Sequence, residues 1–149
     1  MNEEISYEDF LSRYGSLTYT NVGTSMLPLL RQGKDLFTVE KKTEARCKAG
    51  DVVLFHRPPD DYVLHRIVQV LPDSYVLLGD NCIDREYGIR DEDILGIMTG
   101  FVRGGKQHSI SEPGYRFYTT VFLRTASVRI VAKKTVRRMK KMLKRKKQL

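Results

Sequence analysis

The chain has 149 residues, 41% of them hydrophobic, which suits one domain with its own core and excludes a disordered chain. Its net charge of +8 is unevenly placed: residues 1–112 carry 13 Lys/Arg against 18 Asp/Glu, while residues 113–149 carry 13 Lys/Arg and no acid. The body is therefore mildly acidic, and the C-terminal segment has the composition of an interaction tail.

The first twenty residues hold Glu3, Glu4, Glu8 and Asp9. They lack the apolar run of a secretory signal or a membrane span, which needs about 20 apolar residues. Tyr7, Phe10, Leu11 and Tyr14 recur at helical spacing, with Ser6 as N-cap and Gly15 as stop, so a short amphipathic helix is predicted over Tyr7–Tyr14. Short runs rich in Val, Ile, Leu, Tyr and Phe follow at Leu36–Val39, Val52–Phe55, Tyr62–Val70, Tyr75–Leu78 and Ile94–Val102. Turn residues part them, among them Gln32-Gly33-Lys34, Pro58-Pro59-Asp60-Asp61 and Gly104-Gly105. This pattern predicts a mostly β body of antiparallel strands over residues 1–112, short N-terminal helix included. Beyond Pro113 the period becomes helical, and residues 113–149 read as a basic amphipathic helical tail. There, Val128, Val131, Thr135, Met139 and Met142 share a face that Arg129, Lys133, Arg137, Lys140 and Lys144 avoid.

Cys47 and Cys82 lie far apart without metal spacing. A disulfide between them is one reading, and two free buried thiols are the simpler one. His56, His65 and His108 form no ligand pattern, and neither a metal nor a cofactor is expected.

Three segments carry residues suited to chemistry. In Gly23-Thr24-Ser25-Met26-Leu27-Pro28 a serine stands between a flexible glycine and a proline-bounded turn. Such a serine can be held exposed as a nucleophile, although alone it reads as a loop residue. In Tyr62–Val68 strand alternation puts His65 on one face with Val63 and Ile67. Apolar neighbours favour the neutral imidazole that can accept a proton near pH 7. In Leu78–Gly88 the Gly-Asp-Asn turn brings Asp80 and Asp84, either of which could orient an imidazole.

The order of these segments carries more than any one of them. Ser-Met-x-Pro, Gly33-Lys34-Asp35, Gly50-Asp51-Val52-Val53-Leu54-Phe55, His65-Arg66-Ile67-Val68, Gly79-Asp80-Asn81 and Asp84-Arg85 follow one another over about residues 20–103. This arrangement resembles the signal peptidase I superfamily, which includes the LexA-type self-cleaving repressors. The resemblance implies coiled antiparallel β-sheets and a serine endopeptidase that cleaves a peptide or protein precursor after small residues. It implies Ser25 as nucleophile. Bacterial signal peptidases place a Lys where His65 stands, so the chain resembles the Ser-His branch of endoplasmic-reticulum and archaeal signal peptidases. In that branch an Asp directly before Arg completes the site, which implies Asp84, with Asp80 as the alternative. Thr24, Met26 and Pro28 fall at oxyanion or substrate-contacting positions.

Two departures stand out. Many relatives place a hydroxyl donor two residues before the nucleophile, where this chain has Gly23. That shifts oxyanion stabilisation to the Ser25 N–H and the Thr24 hydroxyl. Signal peptidases also carry a membrane anchor, whereas 24 largely polar residues precede Ser25. The chain thus reads as a minimal catalytic domain, cytoplasmic or peripheral on the inner membrane surface. Residues 128–149 are expected to meet an anionic membrane, as a basic amphipathic helix does. Nucleic acid is the weaker partner, since no aromatic residue follows Leu123 to stack on bases. A catalytically weak or inactive peptide-binding module, held at a membrane by its tail, is the alternative function.

Overall fold

The structure is a computed structural model that describes residues 4–149. It begins with helix α1, Tyr7–Tyr14, where the Ser6 hydroxyl accepts from the Asp9 N–H and Gly15 closes the helix at positive φ. Leu11 is the helix residue that enters the core.

Eight strands follow: β1 Ser16–Thr20, β2 Leu36–Lys41, β3 Val52–Arg57, β4 Asp61–Val70, β5 Tyr75–Leu78, β6 Glu86–Ile89, β7 Ile94–Arg103 and β8 Lys106–Ser109. They form one antiparallel sheet in the order β1-β2-β7-β3-β4-β5-β6, with β8 paired to β7. The chain then enters helix α2, Pro113–Lys147. The protein is therefore mostly β, with a short N-terminal helix and a long basic C-terminal one.

The strands expected from their apolar runs are β2, β3, β4, β5 and β7, each at or close to its predicted bounds. β1, β6 and β8 escape sequence reading because they are short and hold few buried residues. Their backbone pairing depends on a neighbour already in place.

Both faces of β3 and β4 are covered, and the alternation sorts their side chains. Val52, Leu54 and Leu64 join Leu11, Val39, Met98 and Phe101 on one face, where Tyr115 and Tyr118 of α2 also pack. Val53, Phe55 and Ile67 join Tyr75, Leu77 and Ile94 on the other. Ala126 and Ile130 of α2 seal a third cluster against Leu78. The first half of α2 is thus part of the body, whereas every residue from Lys134 onward is exposed. No helix is long and apolar enough to cross a membrane among the described residues.

Arg66 lies on the α2 side of β4 and is 1% exposed. It makes a bidentate pair with Asp80, at 2.8 Å from Nε and 2.9 Å from Nη2. Its Nη1 donates to the Gly50 carbonyl and to the Tyr115 and Thr119 hydroxyls. The Tyr118 hydroxyl donates to Asp80 at 2.8 Å. Burial alone would push the guanidinium down, but the Asp80 carboxylate outweighs it and raises the Arg66 pKa. Removing one member of such a pair leaves an uncompensated buried charge. Asp80→Ala should therefore cost about 3–5 kcal/mol of stability, read from urea unfolding. A loss within the range of an ordinary surface substitution would contradict this account of the pair.

Candidate active site

Ser25 belongs to the turn between β1 and β2, and two buried polar residues hold that turn. Asn21 donates through Nδ2 to the Gly23 and Leu30 carbonyls. Asp35, fully buried, takes both Arg31 Nε and Nη2 and the Arg31 N–H. The Arg31 guanidinium holds the Asp35 carboxyl down at about 2, so the carboxylate is ionised at neutral pH. Gly33 N–H closes the segment on the Asn21 carbonyl. The Gly-Lys-Asp motif is thus the far support of the serine turn.

Met26, expected to touch substrate, is instead 1% exposed within the core. It anchors the turn and cannot line an accessible surface. Pro28 is exposed, and its carbonyl accepts from Arg103. Thr24 is exposed, and its carbonyl accepts from Leu27 N–H and from Asn81 Nδ2. Among the described residues neither the Ser25 N–H nor the Thr24 hydroxyl is engaged in a hydrogen bond, so both donors are free.

The loop after β5 meets this turn directly. Asn81 N–H donates to the Ser25 carbonyl at 2.8 Å. Gly79 is the point of closest approach: a Cβ there would lie 2.6 Å from Cys82 Sγ, 2.8 Å from the Ser25 carbonyl oxygen and 3.0 Å from His65 Nε2. Those three residues therefore surround one spot that only a glycine can occupy. The Gly-Asp-Asn motif accordingly has one task per residue. Gly79 makes room, Asp80 neutralises Arg66, and Asn81 fastens the Ser25 segment.

His65 is 5% exposed and borders Phe55, with ring centroids 6.0 Å apart. Its Nδ1 lies 3.3 Å from Glu86 Oε2, too poorly aligned for a hydrogen bond, and neither buried atom has another partner. Arg57 holds the other oxygen of Glu86. The Nε2 of His65 faces Cys82 Sγ at 4.0 Å. Among the described residues no hydrogen bond joins Ser25 Oγ to His65. Their segments meet across Gly79, where the Ser25 carbonyl oxygen and His65 Nε2 both border the space a Cβ would fill.

The two expected aspartates are elsewhere. Asp84 is exposed and makes no side-chain hydrogen bond among the described residues. Asp80 is committed to Arg66 and Tyr118. The carboxylate beside His65 is Glu86, at the start of β6. An acid one residue after the expected Asp-Arg pair was available in sequence. Its relation to His65 emerges only when β6 pairs with β5 and β5 with β4.

Burial pushes the His65 imidazole below its ordinary value, and Glu86 opposes that shift without cancelling it. The ring is thus neutral at pH 7 and able to accept a proton. Burial, then Glu86, push the Cys82 thiol up, so it remains a protonated thiol. Cys47 is buried elsewhere, and both cysteines are free. Among the described residues no cluster of His, Cys, Asp and Glu could hold a metal ion.

Two further features were not legible in sequence. Lys133 of α2 donates to Asn81 Oδ1 at 2.7 Å, and Arg129 donates to the Asp80 carbonyl at 3.1 Å, so α2 braces the loop that holds Ser25. A recess of about 80 Å³ is lined by Tyr7, Tyr19, Val22, Tyr62 and Leu64, on the face of β4 opposite His65. A larger concavity, about 740 Å³, runs along the projecting half of α2 and includes Lys133 but neither Ser25 nor His65.

No protein-family model matches the chain, and no curated protein is significantly similar to it in sequence.

Two measurements check this geometry. Gly79→Ala must displace the Ser25 backbone or the His65 ring, and should destabilise by about 1–3 kcal/mol in chemical denaturation. In an NMR titration the His65 ring should turn over below pH 6.5. Glu86→Gln should lower that midpoint further, because the carboxylate favours the imidazolium. Since the folded-state value is the depressed one, the stability linked to neutral His65 is complete above pH 6.5 and falls as the pH drops through and below it. A midpoint at or above the ordinary value would refute the assignment of His65 as a buried neutral base.

Proposed function

We propose that the protein is a serine endopeptidase of the signal-peptidase type, with Ser25 as nucleophile and His65 as general base. The observation that carries this reading is the meeting of the Ser25 turn, a buried neutral imidazole and a carboxylate on the far side of that imidazole around Gly79. Three segments distant in the chain supply these groups, in the order that the superfamily resemblance implies.

The proposed chemistry follows the general acyl-transfer scheme. Ser25 Oγ attacks the scissile carbonyl while His65 Nε2 takes its proton. The imidazolium that forms is stabilised by Glu86 at Nδ1, in the orienting role that the resemblance implies for Asp84 or Asp80. The Ser25 N–H and Thr24 hydroxyl, both free, receive the oxyanion. His65 then returns the proton to the leaving amine, and water repeats the sequence on the acyl-enzyme.

Cys82 supports a second reading, because its thiol rather than the Ser25 hydroxyl faces His65 Nε2. Its raised pKa weighs against it as a resting nucleophile. A peptide-docking module without catalysis is the third.

Labelling with a fluorophosphonate probe separates the three. The proposal expects labelling of the wild type that disappears in Ser25→Ala and His65→Ala and persists in Cys82→Ala. Loss in Cys82→Ala with retention in Ser25→Ala would favour the thiol. No labelling of any form, with peptide binding retained, would favour the docking module. Glu86→Gln should slow labelling by roughly 10²-fold or more, as loss of an orienting group typically does, whereas Asp84→Ala should leave the rate unchanged.

A further inference from the structure

Helix α2 has two long faces, and the sheet uses one of them. At 100° per residue, Phe117, Val121, Val128, Thr135, Met139 and Met142 fall within about 40° of one line along the helix, interrupted by Arg124, and Ala126 and Ile130 fall on the opposite side. Ala126 and Ile130 are the two buried residues of the helix and pack on Leu78. The opposite line is bare: Phe117 is 73% exposed, Val128 70%, Met139 57% and Met142 61%. Val131 and Leu143 widen it, at 64% and 60% exposure. An apolar stripe this long on a folded domain is a binding surface.

Charge decides what covers it. The helix and the two residues after it carry 13 Lys/Arg and no acid. Lys134, Arg138 and Arg145 line one flank of the stripe, and Lys140 and Lys147 the other, where long stems can lie along an apolar surface with their charges at its polar edge. A second copy of the helix would bring cation against cation with no acid to relieve it. Phosphates of a nucleic acid would satisfy the cations but leave the apolar stripe in water.

We propose that this face of α2, from Phe117 to Leu143, docks on an anionic lipid bilayer, with the helix lying in the plane of the headgroups. The contact begins earlier than the basic segment alone suggests, because Phe117 and Val121 continue the stripe over the half of α2 that is packed on the sheet. The β body sits on the other side of the helix, so its net negative charge is held away from the lipid. Arg129 and Lys133 tie the docked helix to the Asp80-Asn81 loop, which fixes the Ser25–His65 region relative to the bilayer. This inference does not depend on the peptidase reading.

Sedimentation of the full chain with vesicles tests it. Phosphatidylcholine vesicles containing roughly one-third phosphatidylserine should bind at least about tenfold more tightly than phosphatidylcholine alone, and molar salt should weaken the binding. Met139→Glu combined with Met142→Glu should reduce binding about tenfold or more with the fold intact, since both side chains are exposed. Lys140→Glu with Arg145→Glu, one from each flank of the stripe, should reduce binding to the anionic vesicles toward the level on neutral ones. Equal binding to both vesicle types, or undiminished binding of the methionine variant, would overturn the proposal. So would a chain that ignores vesicles and instead dimerises through α2 or binds duplex DNA.

Discussion

The buried pair of Arg66 and Asp80 is the constraint on which the site depends. Arg66 comes from β4, beside His65. Asp80 comes from the loop beside the Ser25 turn. The remaining donors of Arg66 reach Gly50 ahead of β3 and two hydroxyls of α2, while Tyr118 completes Asp80. Four separate segments are thereby brought to one point. Buried ion pairs add little net stability, but they are intolerant of a missing partner, so they specify arrangement more than they add strength. Here the arrangement they specify puts the His65 strand, the Ser25 turn and a helix in register.

Around that pair the site is assembled by exclusion as much as by attraction. Gly79 has no side chain, and into the space that leaves come a carbonyl, a thiol and an imidazole nitrogen. The imidazole is stripped of water by Phe55 and its neighbours, which keeps it neutral, while Glu86 waits at Nδ1 without a well-formed hydrogen bond. A carboxylate placed like this contributes little to the resting state and more to the imidazolium, which is the charge distribution that proton abstraction creates. Arg57 prevents Glu86 from turning away.

Helix α2 joins two jobs that its composition suggested were separate. Its N-terminal half is structural, contributing Tyr115, Tyr118, Ala126 and Ile130 to the packed interior. Its C-terminal half projects free, with its apolar residues facing away from the body and its cations around them. Because one continuous helix carries both halves, the packing of the first half sets the direction in which the second presents its stripe.

How much of this was legible in the residues follows from the range of the forces involved. Ser6, Gly15 and the spacing of Tyr7, Phe10, Leu11 and Tyr14 mark α1, because capping and helical periodicity act within a few residues. Runs such as Val52–Phe55 and Tyr75–Leu78 mark their strands, because full burial needs apolar side chains at every position. Ser25 and His65 could be singled out through the order of several short motifs. β1, β6 and β8 could not, since a short polar strand is made by its neighbour's hydrogen bonds rather than by its own side chains. Glu86 belongs to one of these strands, and so the residues alone point to Asp84 and Asp80 instead. Met26, which the resemblance puts at a substrate-contacting position, is the buried anchor of its turn. The sequence by itself determined the local elements and offered Ser25 and His65 as candidates. Tertiary structure alone decided which carboxylate, thiol and lysine stand around them, because those distances come from strand register and a buried charge pair that bridge residues far apart in the chain.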